Sequence, residues 1–469
     1  MIIDSYSEAE KFNTALDAEN YELAGTLLRA GLEKNPDDFV WLTAAGNLHF
    51  TQRHYERAES FYRRALSLEP QDSTALCNLA GVLYETGRYD EALILAENAL
   101  KIEPDCVTAL LHKGNVLNAL EKTDEALICY ETVIGLEPQN ALAWFNKASV
   151  FMKKQSFEQA RDIYADLHRQ FPESIDYLAA LASALEQNEQ FVQAAQTYID
   201  LLKIQSLPAW HITLGGALYG LHASGREDEA LRLLDDWLSA FPDNPFARHT
   251  LETFSNNPQS NRVPQDYVTQ LFDTFAESFD SVLSDLNYTA PEHVAQKVRE
   301  FCEKTGDVLD LGCGTGLCGQ ALKKQNVPFS SLTGVDLSEK MLEKAKERGV
   351  YTTLEQADIL SYPPQCEIRF DTVVSSDVFT YLGALDVLFK GISLLLKPNG
   401  VLIFTISENK ENNADFRLTP SGRYVHSRHY LKKTLSEADL TVFSEEKVVL
   451  RYEMGQPVEG FVIAARQKS

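Results

Sequence analysis

Alanine returns every 34 residues, at Ala24, Ala58, Ala92, Ala126, Ala160 and Ala194, with a seventh at Ala230 after a two-residue slip. Twelve residues beyond six of these stands a proline: Pro36, Pro70, Pro104, Pro138, Pro172 and Pro242. Three residues before the alanine comes an aromatic at Tyr21, Tyr55, Tyr89, Phe157 and Phe191, and four after it at Tyr62, Tyr130, Tyr164 and Tyr198. A small residue sits twelve before it at Gly46, Ala80, Gly114, Ala148 and Ala182. A fixed period of this length copies one supersecondary unit along the chain, each copy burying its apolar face on its neighbours. Each unit reads as two helices. The small residue lets the first approach the second, alanine and the aromatics fill the seam, and proline ends the pair.

This pattern resembles the tetratricopeptide (TPR) repeat, about seven units over residues 4–255. The resemblance implies an all-α solenoid with a concave groove faced by the first helix of each pair. Asn47, Tyr84, Asn115 and Asn118 are its candidate contacts for a peptide or protein, with Thr43, Cys77, Phe145, Met152 and Lys153 beside them. The lysines that clamp a C-terminal carboxylate in the best-known grooves of this kind are missing around Asn47 and Asn115. Homo-oligomerisation, or packing on the neighbouring domain, stays open as an alternative use.

Charge separates the two halves. Residues 1–255 hold 20 of the 43 basic and 39 of the 68 acidic side chains, in a chain of formal net charge -25. Such a surface repels phosphates at long range, which disfavours nucleic acid and anionic membranes as partners. Seven scattered cysteines without a C-x-x-C pair suggest reduced thiols, and no metal-ligand constellation is visible. The start, MIIDSYSEAEKF, has no apolar export signal, and no stretch is long and apolar enough to span a membrane. A soluble, cytoplasmic protein is expected. A polar linker is placed at 256–263. After it Leu271, Phe275 and Phe279 share a helix face with Phe272 and Leu283 beside them: ordinary core packing, or a flap over a ligand site.

From 264 to 469 the pattern changes to short apolar runs alternating with amphipathic stretches. Strands are predicted at 308–311, 331–335, 370–375 and 400–406, with helices around 316–325, 338–348 and 384–396. That alternation implies a Rossmann-like α/β sheet, closed by an antiparallel edge hairpin at 440–450 and 458–466. The first strand runs into Asp310-Leu-Gly312-Cys-Gly314-Thr-Gly316, a turn that lets backbone approach a ligand closely. Gly314, Gly316 and Gly319 also satisfy G-x-G-x-x-G, which keeps a nicotinamide-dependent oxidoreductase in view. Asp310 argues against it, because a carboxylate there repels a pyrophosphate and attracts the ammonium of a methionine moiety. Asp336 at the second strand end is placed to accept from ribose hydroxyls. Asp358 is placed to accept from an adenine amino group, between the apolar walls Leu337 and Ile359. The fourth strand ends in Ser375-Ser376-Asp377.

VLDLGCGTG, GVDLSEKMLEKA, QADI and LLLKPNGVLIF resemble the ordered motifs of class I methyltransferases, which use S-adenosylmethionine. LFDTFAESFD, LNYTAP, SSDVFTYLGAL, GRYVHSRHYL and LRYEMGQPVEGF are similar to a bacterial group of methyltransferases carrying an N-terminal TPR array. The resemblance implies that Asp310, Gly312, Gly314 and Gly316 cradle the methionine end, with Ser375 nearby. It likewise implies that Asp336 binds ribose, and that Asp358 and Ile359 hold adenine. It strengthens the flap reading of Phe272, Phe275, Phe279 and Tyr288, and so of residues 267–288 as a lid.

The methyl acceptor is less legible. Ser-Ser-Asp-Val after the fourth strand disfavours adenine N6 and glutamine-amide acceptors. Asp377 and Tyr381 are candidates near the methyl. GRYVHSRHY at 422–430 is the most cationic and aromatic stretch, with Arg423 and Tyr424 as substrate contacts and His426 as the first candidate base, Asp377 the second. Arg451 and Glu453 either face the same mouth or pair with each other. The sequence thus points to an S-adenosylmethionine-dependent N- or O-methyltransferase whose array positions a peptide or protein. Methylation of a small metabolite with the repeats used for assembly, and a non-catalytic cofactor-binding scaffold, are the alternatives.

Overall fold

The computed structural model describes residues 2–255, 260–302, 306–409, 414–453 and 455–468. Cα packing divides it into two compact units, Met1–Gln190 and Phe191–Ser469. Residues 256–259 of the expected linker lie outside the described residues.

The 34-residue period is a helix–turn–helix period. Helices begin at Tyr21, Tyr55, Tyr89, Thr123, Phe157, Phe191 and Glu227, each 14 residues long. Their partners include Phe39–Thr51, Ser73–Glu85, Val107–Ala119 and Ala141–Lys153. The small residues act as read from the sequence: a Cβ on Gly46 would lie 2.3 Å from the Tyr62 ring, and one on Gly114 would lie 2.6 Å from Tyr130. Two further periodic devices fix the turns. Asp38, Asp72, Asn140 and Ser174 cap partner helices by accepting backbone N–H bonds, whereas Cys106 holds the equivalent place without a side-chain bond. Glu19, Arg53, Gly87, Glu121, Gln155 and Glu189 all adopt positive φ where the first helix turns into the second.

The groove candidates are partly committed. Tyr62 Oη donates to Asn47 Oδ1 at 2.6 Å and Asn78 Nδ2 to the same oxygen at 2.9 Å. Tyr130 and Asn146 repeat this on Asn115 at 2.7 and 2.9 Å. Each asparagine oxygen is therefore an interhelical tie. Tyr84 rests against Tyr89, with ring centroids 5.8 Å apart. Asn118 accepts from Lys153 Nζ through its backbone oxygen, while its own Oδ1 is buried without a partner.

In the second unit, helices Phe191–Ile204, Pro208–Ala223, Glu227–Ala240 and Pro245–Phe254 precede Gln265–Phe275, Phe279–Asp285 and Ala290–Phe301. The sheet then uses β1 (Asp307–Leu311), β2 (Ser331–Asp336), β3 (Thr353–Gln356), β4 (Phe370–Ser375) and β5 (Leu396–Ser407). A small antiparallel pair, β6 (Phe416–Leu418) and β7 (Tyr424–His426), comes before β8 (Leu440–Glu453) and β9 (Gln456–Gln467). Strand order is β3-β2-β1-β4-β5-β9-β8, parallel through β5 and antiparallel at the hairpin. Alternate residues feed two cores. Leu309, Val373, Leu402 and Phe404 pack on one face, and Val308, Val374, Ile403 and Val462 on the other. β1 lies between β2 and β4, so the chain leaves it in both directions and opens a crevice above the strand ends.

Candidate functional site

A cavity of about 1140 Å³, counted to its open mouth, lies over that crevice. Its floor is the turn after β1. Gly312, Gly314 and Gly316 have φ of +74°, +54° and +90°, a region costly for any residue with a Cβ. A Cβ on Gly312 would stand 2.4 Å from Val378, so glycine is needed there twice over. Gly312 and Gly314 face the cavity, while Gly316 stands behind them as N-cap of helix Leu317–Lys324.

Asp336, at the end of β2, lines the cavity and accepts from Gly314 N at 2.8 Å and Ser338 N at 2.9 Å. Burial raises its pKa, and those backbone bonds oppose the shift. Leu337 and Ile359 line the same cavity. Asp358 reaches the cavity as well, but Arg262 Nη2 donates to its Oδ2 at 2.7 Å and Leu360 N to its Oδ1 at 2.7 Å. A further donor must share one of those oxygens.

Asp310 is corrected in place. It is fully buried behind the glycine turn rather than on the wall; Tyr351 Oη donates to its Oδ2 at 2.7 Å, and Oδ1 has no partner. Burial pushes its pKa up to about 7, with Asp336 adding repulsion. Ser375 also lies off the wall, its hydroxyl donating to Leu311 O at 2.8 Å, and the next residue, Ser376, takes its place.

Two short helices cover the cavity. Phe272, Phe279 and Leu283 face into it, and neither helix Gln265–Phe275 nor Phe279–Asp285 has a buried residue. Carboxylates pin them to ligand-facing loops: Ser338 Oγ donates to Asp273 at 2.5 Å, and Thr315 Oγ1 to Asp280 at 2.6 Å. Arg348 also pairs with Asp280. Tyr288 follows in the lining, its hydroxyl 3.4 Å from Ser376 O.

The opposite end carries charge. Asp377 has φ +58° and its backbone N donates to Thr405 Oγ1 at 2.8 Å, which turns the carboxylate into the cavity. Arg451 Nη1 donates to its Oδ2, while Oδ1 is buried without a partner. Arg451 Nε also donates to Glu453 Oε1 at 2.7 Å, and Arg423 Nη1 donates to the same oxygen at 3.0 Å. Although burial opposes it, Arg451 and Arg423 hold the Glu453 pKa low. Both sequence alternatives for Arg451 and Glu453 therefore apply: they pair, and Arg451 faces the cavity. Tyr381 stands nearby, edge-on to Phe272 at 5.5 Å.

His426 is the clear correction. It is fully buried away from the cavity, its Nε2–H donates to Gly383 O at 3.0 Å, and burial lowers its pKa to about 4. Tyr424, on the same face of β7, is buried and donates to Ser260 O at 2.6 Å, which excludes the substrate contact expected of it. Arg423 does reach the cavity. The period-two alternation of a strand separates Tyr424 and His426 from their neighbours, a signal the charge count of 422–430 obscures. Arg262 carried no motif; Asp273 and Asp280 lie in LFDTFAESFD, but the sequence assigned them no role. Among the described residues no group of three or more His, Cys, Asp or Glu could hold a metal, and no helix is long and apolar enough to cross a membrane.

The "Methyltransferase domain" family matches residues 309–402, and "Tetratricopeptide repeat" matches 10–73 and 111–175. "Anaphase-promoting complex, cyclosome, subunit 3" matches 51–133. Malonyl-[acyl-carrier protein] O-methyltransferase of Priestia megaterium is 28% identical over 150 residues, 31% of this chain and 53% of that protein. Trans-aconitate 2-methyltransferase of Paracidovorax citrulli is 32% identical over 104 residues, covering 22% and 40%. The chain thus spans about half the length of the curated relatives it matches, 53% and 40% for these two. An S-adenosylmethionine-dependent methyltransferase structure from Clostridium acetobutylicum aligns with TM-score 0.33 and 20% identity, over 42% of this chain and all of that one.

Proposed function

We propose that this chain, which joins tetratricopeptide repeats to a methyltransferase domain, is a class I S-adenosylmethionine-dependent methyltransferase acting on nitrogen or oxygen of its acceptor. In this reading residues 1–255 recruit or position the substrate, 256–263 link, and 264–469 catalyse. The carrying observation is Asp336: a carboxylate at the end of β2, on the cavity wall, bonded to the glycine turn and flanked by Leu337 and Ile359. Those residues fit the cofactor, with Asp336 for ribose and the two apolar side chains around adenine. When bound, S-adenosylmethionine supplies an electrophilic methyl group on a sulfonium.

The protein's own part is alignment and exclusion of water. Phe272, Phe279 and Leu283 roof the cavity with apolar surface. Asp377 Oδ1 is the group at the acceptor end still short of a bond, so it orients an acceptor N–H or O–H and takes its proton; Arg451 anchors the other oxygen. The named relatives are a malonyl-[acyl-carrier protein] and a trans-aconitate methyltransferase, which supports a small or carrier-bound acceptor beside the peptide or protein reading.

Titration calorimetry with S-adenosylhomocysteine tests the cofactor assignment. Asp336→Ala is expected to weaken binding about 10- to 100-fold, the scale of a lost charge-assisted hydrogen bond, at an unchanged melting profile of the repeats. Undiminished affinity refutes the site.

A further inference from the structure

A second hollow adjoins the first. It holds about 1040 Å³, counted to its open mouth, and is walled by helices Pro208–Ala223 and Pro245–Phe254 on one side and by residues 420–423 and Glu453 on the other. All of these belong to the second compact unit. His249 Nε2–H donates to Gly422 O at 3.0 Å, tying the helical wall to the loop that presents Arg423. Arg423 lines both hollows, and the run Asp377–Arg451–Glu453–Arg423 carries ion pairs from the methyl end of the first into the second.

The helical wall keeps room open. Gly215 and Gly216 stand together inside helix Pro208–Ala223, where each costs about 1 kcal/mol against alanine. A Cβ on Gly216 would meet nothing within 4 Å, so packing does not demand glycine there. What Gly216 leaves is open space in a hollow also lined by Tyr219, Phe246 and Tyr267.

The electrostatics select a sign. Burial lowers His211 and His249 to about 4, so both are neutral near pH 7. His211 is also spent, accepting from Trp237 Nε1 at 3.0 Å and bonded to Ser206 Oγ at 2.9 Å. Glu453 is shared by two arginines. Among the described residues Arg423 is joined to its ion-pair partner through Nη1 alone, and its side chain lines both hollows.

We propose that this groove is the acceptor-binding site, and that it takes a slender apolar or aromatic stem bearing a carboxylate, which Arg423 grips at the doorway to the methyl-transfer cavity. The inference rests on the methyltransferase reading. It goes beyond it by making the last repeat helices part of the substrate site. The stem enters over Gly216, the carboxylate stops at Arg423, and the acceptor N–H or O–H beyond it meets Asp377. A small acid and a polypeptide side chain share this chemistry.

The test uses the full chain without cofactor, titrated with 4-phenylbutyrate and with its uncharged amide. The carboxylate is expected to bind about tenfold or more tightly than the amide, the worth of one charge-assisted bond. Gly216→Phe and Arg423→Gln should each lose about tenfold in its affinity, with Arg423→Lys recovering part. S-adenosylhomocysteine affinity, measured alongside, should stay at the parent value in Gly216→Phe and so certify the fold. Equal binding of acid and amide, no binding of either, or full affinity in Gly216→Phe overturns the proposal. Failure of the parent chain to bind S-adenosylhomocysteine would instead overturn the methyltransferase reading and leave the groove result standing. Methyl-labelled cofactor added to extract separates the two sources: label in the small-acid fraction assigns a metabolite, label in polypeptide a protein side chain.

Discussion

The repeats and the α/β sheet solve opposite problems. Repeat contacts join residues about one period apart: Asn78 to Asn47 across 31 positions, Arg88 to Glu59 across 29. Site contacts join residues far apart: Arg262 to Asp358 across 96, Arg451 to Asp377 across 74, His249 to Gly422 across 173. Repeats can therefore absorb a local change within neighbouring units, while one change in the site reaches several strand ends at once.

Charge removal should show the largest contrast. Arg451→Ala strands Asp377 in a poorly solvated place, leaves Glu453 to Arg423 alone, and is expected to cost about 3–5 kcal/mol. Arg88→Ala removes an exposed pair with Glu59 and Glu91 and should leave stability almost unchanged. Urea titrations of both variants, read by hydrogen exchange in each unit, check the ratio; equal costs would erase the distinction.

Glycine gives the next contrast. Gly312→Ala forces a Cβ into positive φ and against Val378, and is expected to destabilise the second unit by about 1–3 kcal/mol while abolishing cofactor binding. Gly25→Ala, where a Cβ meets nothing, should stabilise its helix by about 0.5–1 kcal/mol. Thermal melts with cofactor titration decide, and a tolerated Gly312→Ala would mean the turn can relax.

Acid should separate the units next. His211, His249 and His426 have folded pKa values near 4 against 6.5, so the unfolded chain binds more protons below about 6.5. Their stabilisation is present above that pH and is lost as pH falls through 6.5 toward 4. Asp310, raised to about 7, works the other way over the same range, and Asp336 and Glu252, also raised by burial, add to it without shifts as large. His49 and His112 are lowered in the first unit too, without shifts as large. Hydrogen exchange at pH 7 and pH 5 should show the second unit losing protection more steeply. A steeper loss in the first unit would reverse the assignment.

The smallest effect refines the repeat. Cys106 breaks the row of capping residues Asp38, Asp72, Asn140 and Ser174. Cys106→Asp is expected to add about 0.5–2 kcal/mol, seen as a higher urea midpoint at constant slope.

The repeat, the succession of strands and helices along the chain and the glycine turn were legible in the amino-acid sequence because each is a local constraint. A 34-residue period, a change from helical to strand alternation, and a turn that excludes Cβ atoms all act between near neighbours. Asp336, Leu337 and Ile359 followed, since a strand end fixes where its next side chains point. The acceptor end was not legible in the same way. Residues 422–430 promised a base by composition, yet β7 turned His426 and Tyr424 inward and left Arg423 to reach the cavity. Arg262, Asp273 and Asp280 gain meaning only from partners brought to them by folding, although two of them stand in the run LFDTFAESFD. Tertiary structure alone decided which charges meet, because pairing depends on where strands and helices from distant sequence place a few atoms within about 3 Å. It also decided that helices Pro208–Ala223 and Pro245–Phe254 wall a groove beside the first cavity, since two ordinary glycines in a helix announce no open space by themselves.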